Sequence, residues 1–312
     1  MQLETLLANI AQHSNLVDAY GATHLPIYNT ATFDQKRQFP NNKNYDYSRT
    51  DNPTRNALED IFALAENGAG CVCTNTGVSA LALLFDTVLK SGDTILVERD
   101  CYGGTYRLLN ILLEKYDVKT CYAYFTDLSE VEIALQQNDV KLILCESPTN
   151  PSLKIVNLKS VAGLSKKHNT LFAVDNSMAT FASQKPLDLG ADFSLFSATK
   201  FISGHGSVVA GAIVAKTEHW AERINYFSNA HGRAQSPFDV FLVSLGLPTL
   251  VYRMKTQEQS AIQLSEFLNT VPDVIDVKFP GLPSHPQYEL AKSQMKIIPS
   301  VLTITLKSAE KA

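Results

Sequence analysis

From Asn56 to Phe196 the chain alternates short apolar runs with stretches of helical periodicity, and this rhythm constrains the fold more than any other feature. A helix is predicted over Asn56 to Ala65 and a strand at Cys71 to Thr74. Next come a helix from Val78 to Leu89, a strand at Thr94 to Glu98, a helix at Thr105 to Lys115 and a strand at Lys119 to Tyr124. Helix Leu128 to Gln136, the strand LILCE, helix Leu158 to His168 and the strands LFAVD and FSLFS complete the series. Strands alternating with helices at this spacing predict an α/β fold, a mostly parallel sheet with helices on both faces.

The flanks read differently. Residues 1–50 form an expected arm: a short helix, Leu3 to Gln12, then a polar, Pro- and Asn-rich stretch ending at YDYSRTDNPTR, with little to build a core. After Pro237 an amphipathic segment runs to about Asn269, and strand-like pieces follow at Val274 to Phe279 and Val301 to Leu306, the start of a second, α+β domain. The expected division is therefore 1–50, 51–236 and 237–312.

Composition narrows the function classes. Of 312 residues, 45% are hydrophobic and 19% charged, ordinary for a globular enzyme and too apolar for disorder. With 27 Lys and Arg against 31 Asp and Glu the net charge is −4, and no long basic run appears, so nucleic acid is not an expected partner. The longest uncharged apolar stretch, Val208 to Ala215, is too short to cross a bilayer. The N-terminus MQLETLLANIAQH lacks the cationic start and apolar core of a secretory signal, so the expectation is a cytoplasmic protein with no membrane partner. Cys71, Cys73, Cys101, Cys121 and Cys145 form no CxxC pair, and the seven His are scattered, so buried free thiols are expected and no metal site.

In an open α/β sheet ligands bind beyond the carboxyl ends of the strands. LFAVD ends in Asp175-Asn176, FSLFS runs into Ser197-Ala198-Thr199-Lys200, and CVCT runs into Asn75-Thr76-Gly77-Val78. Taken singly, Asp caps a turn and Lys is a solvated surface residue. Together with Gly77 at a helix start they point to one cleft. The helix beginning near Val78 offers free N–H groups and a positive dipole end to a phosphate. Ser197 and Thr199, two residues apart on an expected extended segment, face the same way. A phosphate, a carboxylate and a lysine amine in one cleft indicate pyridoxal 5′-phosphate (PLP), with Lys200 holding it as a Schiff base and Asp175 pairing with its pyridine nitrogen. A unit charge pair at ~4 Å and an effective dielectric of ~20 is worth about 4 kcal/mol, enough to keep that nitrogen protonated.

YSRTDNPTR at 47–55, TNTGVSAL at 74–81, DCYGGTYRL at 100–108, ESPTNP at 146–151, VDNS at 174–177 and DFSLFSATKFISGH around Lys200 occur in that order. With these motifs, from about Tyr20 to Leu306, the sequence resembles the trans-sulfuration (Cys/Met metabolism) family of fold-type I PLP-dependent enzymes. The TNTG and DCYGG wordings lean toward its γ-synthase branch. The resemblance implies a fold-type I transferase with an incomplete C-terminal α+β domain, amino-acid substrates, and a homodimer or homotetramer with shared active sites. It implies that Lys200 is the cofactor lysine and proton shuttle, and that Tyr102 stacks on the ring and assists proton transfer. Gly77, Val78, Ser197 and Thr199 would hold the phosphate, Asn150 would lie near the 3′-oxygen, and Tyr47 and Arg49 would reach the phosphate of a neighbouring subunit. Without the resemblance Tyr102 reads equally as a core aromatic, Arg49 as a surface ion-pair partner and Asn150 as a turn residue.

The implied reaction is γ-replacement on an O-acyl-L-homoserine by L-cysteine, giving cystathionine. The alternatives are a cystathionine lyase or an O-acylhomoserine sulfhydrylase. The chain's last residues read SVLTITLKSAEKA, where the family continues to an arginine that clamps the substrate α-carboxylate. No residue here is assigned that role, and a catalytically silent PLP-binding paralogue is the further alternative.

Overall fold

The computed structural model describes residues 1–16, 18, 20–34 and 45–308. Along the chain, α1 (Leu3–Ala8) and α2 (Ile10–His13) precede α3 (Pro53–Glu66), β1 (Gly70–Thr74), α4 (Gly77–Val88), β2 (Thr94–Glu98), α5 (Gly103–Tyr116) and β3 (Lys119–Ala123). Then follow α6 (Leu128–Gln137), β4 (Val140–Glu146), α7 (Leu158–Lys167), β5 (Leu171–Asp175), α8 (Thr180–Ser183), β6 (Phe193–Phe196) and β7 (Gly211–Ala215). The remainder is helical, α9 (Glu218–His231), α10 (Pro237–Gly246), a 3-10 turn at Leu247–Thr249 and α11 (Leu250–Leu268), until β8 (Val274–Lys278), α12 (Tyr288–Gln294) and β9 (Thr303–Leu306). Among the described residues no helix is long and apolar enough to cross a membrane.

The elements form two compact units, Met1–Val88 with Asp192–Leu250, and Leu89–Ala191 with Val251–Ala312. In the first unit β7 lies between β1 and β6 and pairs antiparallel with both, Cys73 opposite Ala212 and Leu195 opposite Ile213. Helices α3 and α9 pack on β1 and β7, and α4 packs on β6 and β7. Phe62 of α3 meets Phe196 of β6 edge-on, ring centroids 6.2 Å apart, and both side chains are fully buried. Helix α3 starts where it does because Asn52 caps it, its side chain accepting from the N–H groups of Thr54 and Arg55, with Pro53 pre-set at the first helical position.

In the second unit β5, β4, β2 and β3 are neighbours in that order, every pairing parallel. Their sequences, TILVE, VKLILCE and LFAVD among them, are near-continuous apolar runs because a parallel strand is covered on both faces. A separate core gathers Ile155, Phe279, Leu282, Met295 and Ile298 beside the antiparallel pair β8–β9. Gln294 fastens α12 there, donating to the Val156 carbonyl at 3.1 Å and accepting the Leu158 N–H at 3.0 Å.

Several expectations need correction. The predicted helix Leu3 to Gln12 breaks at Asn9. Its residues Leu6, Leu7 and Ile10 are buried, and α1 and α2 pack against α3, so this part of the expected arm contributes to the core of its own unit. Strand β7 is the exception to the mostly parallel pattern: it enters antiparallel after a loop with no helix, a return that the alternation rule does not foresee. Val208 to Ala215, noted above only for its apolarity, supplies that fully buried strand. Helix α9 was not predicted because only Ile224 and Ser228 of its fourteen residues are buried, which leaves too narrow an apolar stripe to read. Of the five cysteines, all free thiols, Cys73 and Cys145 are buried and the other three only partly so.

Candidate active site

The sequence-predicted site residues fall into two sets, one in each unit. In the first unit the set is built around the start of α4. Thr76 caps that helix with its hydroxyl, which accepts the Ser79 N–H at 2.9 Å, while its carbonyl accepts the Ala80 N–H. The N–H groups of Gly77 and Val78 stand ahead of these, where helix geometry provides no intrahelical acceptor. Gly77 is required here: a Cβ on it would lie 2.8 Å from Cβ and 3.0 Å from Cα of Ser197. Gly211 serves the same closeness from β7, since a Cβ there would meet the Thr76 carbonyl oxygen at 2.1 Å. The helix start and the end of β6 are thereby pressed together, with Ser197 beside Gly77.

The segment after β6 is not extended as expected. It turns at once, Lys200 N–H donating to the Ser197 carbonyl at 3.1 Å. The turn presents Lys200 as an exposed side chain and alters the prospects of Thr199. The Thr199 hydroxyl donates to the Ala210 carbonyl at 3.1 Å and accepts the Ala210 N–H at 2.9 Å, so its proton is committed to holding the 197–210 loop closed. Tyr47 and Arg49 lie in a turn closed by Thr50 and Asp51 N–H groups donating to the Tyr47 carbonyl. Both side chains are exposed; the Arg49 guanidinium sits 5.6 Å from the Tyr47 ring centroid and donates to the Asn229 carbonyl at 2.7 Å.

In the second unit three adjacent parallel strands each end in a carboxylate: Glu98 on β2, Glu146 on β4 and Asp175 on β5, the last two directly in register. Asp175 accepts from the Ser177 N–H at 3.0 Å and hydroxyl at 2.6 Å, and desolvation nevertheless lifts its carboxyl above the ordinary range. Glu146 is lifted well above the ordinary value, first by burial and then by the Asp175 charge. It accepts the Tyr102 N–H at 2.9 Å, which fixes the backbone of Tyr102 at the start of α5 and leaves the ring exposed. Asn150 is exposed on a loop anchored from both sides: Thr149 donates to Asp100 at 3.1 Å, and Lys154 Nζ stands 3.7 Å from the same carboxylate oxygen.

Each set, taken by itself, offers groups suited to a part of PLP. A helix start pressed against a serine leaves N–H groups for a phosphate dianion. An exposed lysine follows it, and a desolvated carboxylate with only neutral hydrogen-bond donors at Ser177 is suited to a cationic ring nitrogen. Sequence reasoning missed Glu146 and Arg55. Arg55 could have been found, because a cation in the first turn of a helix opposes the helix dipole and needs acceptors gathered around it. Glu146 carried no such signal, since its role depends on the register of β4 against β5.

Comparison with known proteins agrees with this cofactor. A sequence profile of the Cys/Met metabolism PLP-dependent enzymes matches residues 4–312. A probable cystathionine gamma-synthase of Herpetosiphon aurantiacus is 38% identical over 292 residues, 94% of this chain and 91% of that protein. A cystathionine beta-lyase of Coxiella burnetii is 39% identical over 92% of this chain and 74% of its own length. Among solved structures, cystathionine gamma synthase from Xanthomonas oryzae pv. oryzae, in complex with aminoacrylate and cysteine, superposes with a TM-score of 0.94 at 38% identity. That match covers 100% of this chain and 79% of the other. The α/β architecture is thus that of fold-type I, and the chain belongs to the Cys/Met metabolism PLP-dependent enzymes, with pyridoxal 5′-phosphate as its cofactor.

Proposed function

We propose that the protein catalyses γ-replacement on an O-acyl-L-homoserine by L-cysteine. The Cγ–O bond of the homoserine ester breaks, a Cγ–S bond forms, and the thiol proton leaves with the carboxylic acid, giving cystathionine. The observation that carries this reading is the likeness to γ-synthases in both comparisons, across nearly the whole chain. The beta-lyase relative, equally similar, supports the second reading, cleavage of cystathionine.

In this proposal the N–H groups of Gly77 and Val78, with the Ser197 hydroxyl, hold the phosphate, and Thr199 contributes by keeping its loop closed. PLP when bound supplies the electron sink for charge developing on the substrate. Lys200 is the base that removes and returns protons at the substrate Cα and Cβ. Asp175 keeps a proton on the ring nitrogen, Tyr102 lies against the ring and assists proton transfer, and Asn150 lies near the 3′-oxygen. Tyr47 and Arg49, both on the 1–50 arm, serve the phosphate of a neighbouring subunit in a homodimer or homotetramer. Location in the cytoplasm accords with this reading.

The test incubates PLP-loaded protein with O-succinyl- or O-acetylhomoserine and cysteine, and separately with cystathionine. Cystathionine formation that disappears in Lys200→Ala is the expected result. Cleavage of cystathionine with no synthesis from the esters would replace the first reading by the second.

A further inference from the structure

Arg55 is used by none of the steps above, yet its side chain is only 5% exposed, and burying a guanidinium is costly unless every donor finds a partner. It finds them on the main chain. Nη1 donates to the Ser48 carbonyl at 2.7 Å and the Gln235 carbonyl at 3.5 Å; Nη2 donates to the carbonyls of Thr50 at 3.1 Å and Arg49 at 3.4 Å. Three consecutive carbonyls of the turn that carries Tyr47 and Arg49 therefore converge on one cation. Asn52 reinforces the grip, its Nδ2 donating to the Ser48 hydroxyl at 3.1 Å and the Tyr28 carbonyl at 2.8 Å.

The other side of Arg55 leads to the phosphate cradle. Nε stands 3.6 Å from Oε1 of Glu59, and the same oxygen accepts the Cys73 N–H on β1 at 2.9 Å. Gln235, whose carbonyl Arg55 holds, donates its N–H to the Cys73 carbonyl at 3.1 Å. Strand β1 ends one residue later and runs through Asn75 and Thr76 into Gly77. One buried guanidinium thus joins the turn at 47–51 to the strand that delivers the phosphate-binding helix.

We propose that Arg55 is a positioning residue that couples the two phosphate grips of a subunit: the cradle for its own cofactor, through Glu59 and β1, and the Tyr47–Arg49 turn offered to a neighbour. The coupling rests on the reading that this turn serves a neighbouring cofactor. Lysine keeps the charge but carries its three donors on one tetrahedral nitrogen, and cannot reproduce the planar fork that reaches four carbonyls and Glu59.

The experiment titrates the full-length apo protein with PLP, followed by absorbance, in the native chain, Arg55→Lys, Arg49→Ala and the double variant. Each single variant should raise the PLP dissociation constant roughly tenfold, and the double variant by clearly less than the product of the two, because both act on the Tyr47–Arg49 turn. Roughly hundredfold weakening in the double variant would show independent action and overturn the coupling. So would an unchanged dissociation constant in Arg55→Lys with a lowered melting temperature, the mark of a residue that only stabilises the fold. An unchanged constant in Arg49→Ala overturns the neighbour reading, and the coupling with it.

Amide hydrogen exchange separates these failures and remains informative where cofactor affinity does not. Arg55→Lys should lose protection at residues 48–51 while α3 keeps it. Equal loss along α3 contradicts the positioning role. Glu59→Gln, which keeps the oxygen that Cys73 donates to, provides a milder variant in which the same selective loss, smaller in extent, is expected; unchanged protection there would remove Glu59 from the link.

Discussion

In the first unit the groups placed for an anion are main-chain N–H groups at the start of α4 and the Ser197 hydroxyl, brought close by Gly77 and Gly211. In the second unit the groups placed for a cation are carboxylates at the ends of β2, β4 and β5, held by neutral donors and partly stripped of water. Backbone donors cost nothing to keep in the apo state, because a helix start is tolerant of its unpaired N–H groups at a solvent-accessible end. Clustered carboxylates do carry a cost, which shows as raised proton affinity. The first unit should therefore govern how tightly the cofactor is held, and the second how well it works once bound.

The sharpest way to break this contrast is Asp175→Ala. A charge pair worth about 4 kcal/mol corresponds to roughly a thousandfold in rate, so kcat at saturating PLP should fall by about three orders of magnitude, with a smaller change in PLP affinity. A variant that lost affinity but kept kcat would reverse the assignment of roles.

Gly77→Ala addresses the other side. The added methyl must push against Ser197, and overpacking of this kind costs about 1–3 kcal/mol. The PLP dissociation constant should rise roughly ten- to a hundredfold in absorbance titrations, while kcat at saturating PLP stays within a few-fold of native.

A third test uses pH. Burial raises Glu146 and Asp175, so the folded apo protein retains protons that the unfolded chain has already released. Stability from these two groups is complete below the ordinary carboxylate range and is lost as pH rises through their raised values. The apo melting temperature should therefore decline as pH rises above the ordinary carboxylate range, and Glu146→Gln should make that decline shallower. An identical slope in the variant would mean that Glu146 is not a source of it.

The smallest effect belongs to Asn157→Ala, which removes the acceptor of the Ser160 N–H at the start of α7 and belongs to neither set of groups. It should cost about 1 kcal/mol in thermal unfolding and leave PLP affinity unchanged.

What was legible in the sequence follows the same division. Strands β2 and β5 match their predicted limits because buried parallel strands are written as unbroken apolar runs, and the lysine, the aspartate and Gly77 stand at element ends where such runs stop. Strand β7 and helix α9 were missed: one enters antiparallel without a helix before it, and the other buries too little to show a stripe. The turn at 198–200 was read as extended because Ser-Ala-Thr carries no Pro or Gly to announce a reversal, and only the pairing of Thr199 with Ala210 reveals why it bends. Arg55 and Glu146 depend on which backbone groups the fold brings to them, information that is not local to either residue.

The most direct measurement is borohydride reduction of the PLP-loaded protein followed by peptide mapping. The account predicts a pyridoxyl group fixed on Lys200 and absent from that peptide in Lys200→Ala. Label on another lysine, or none with PLP bound, would contradict it.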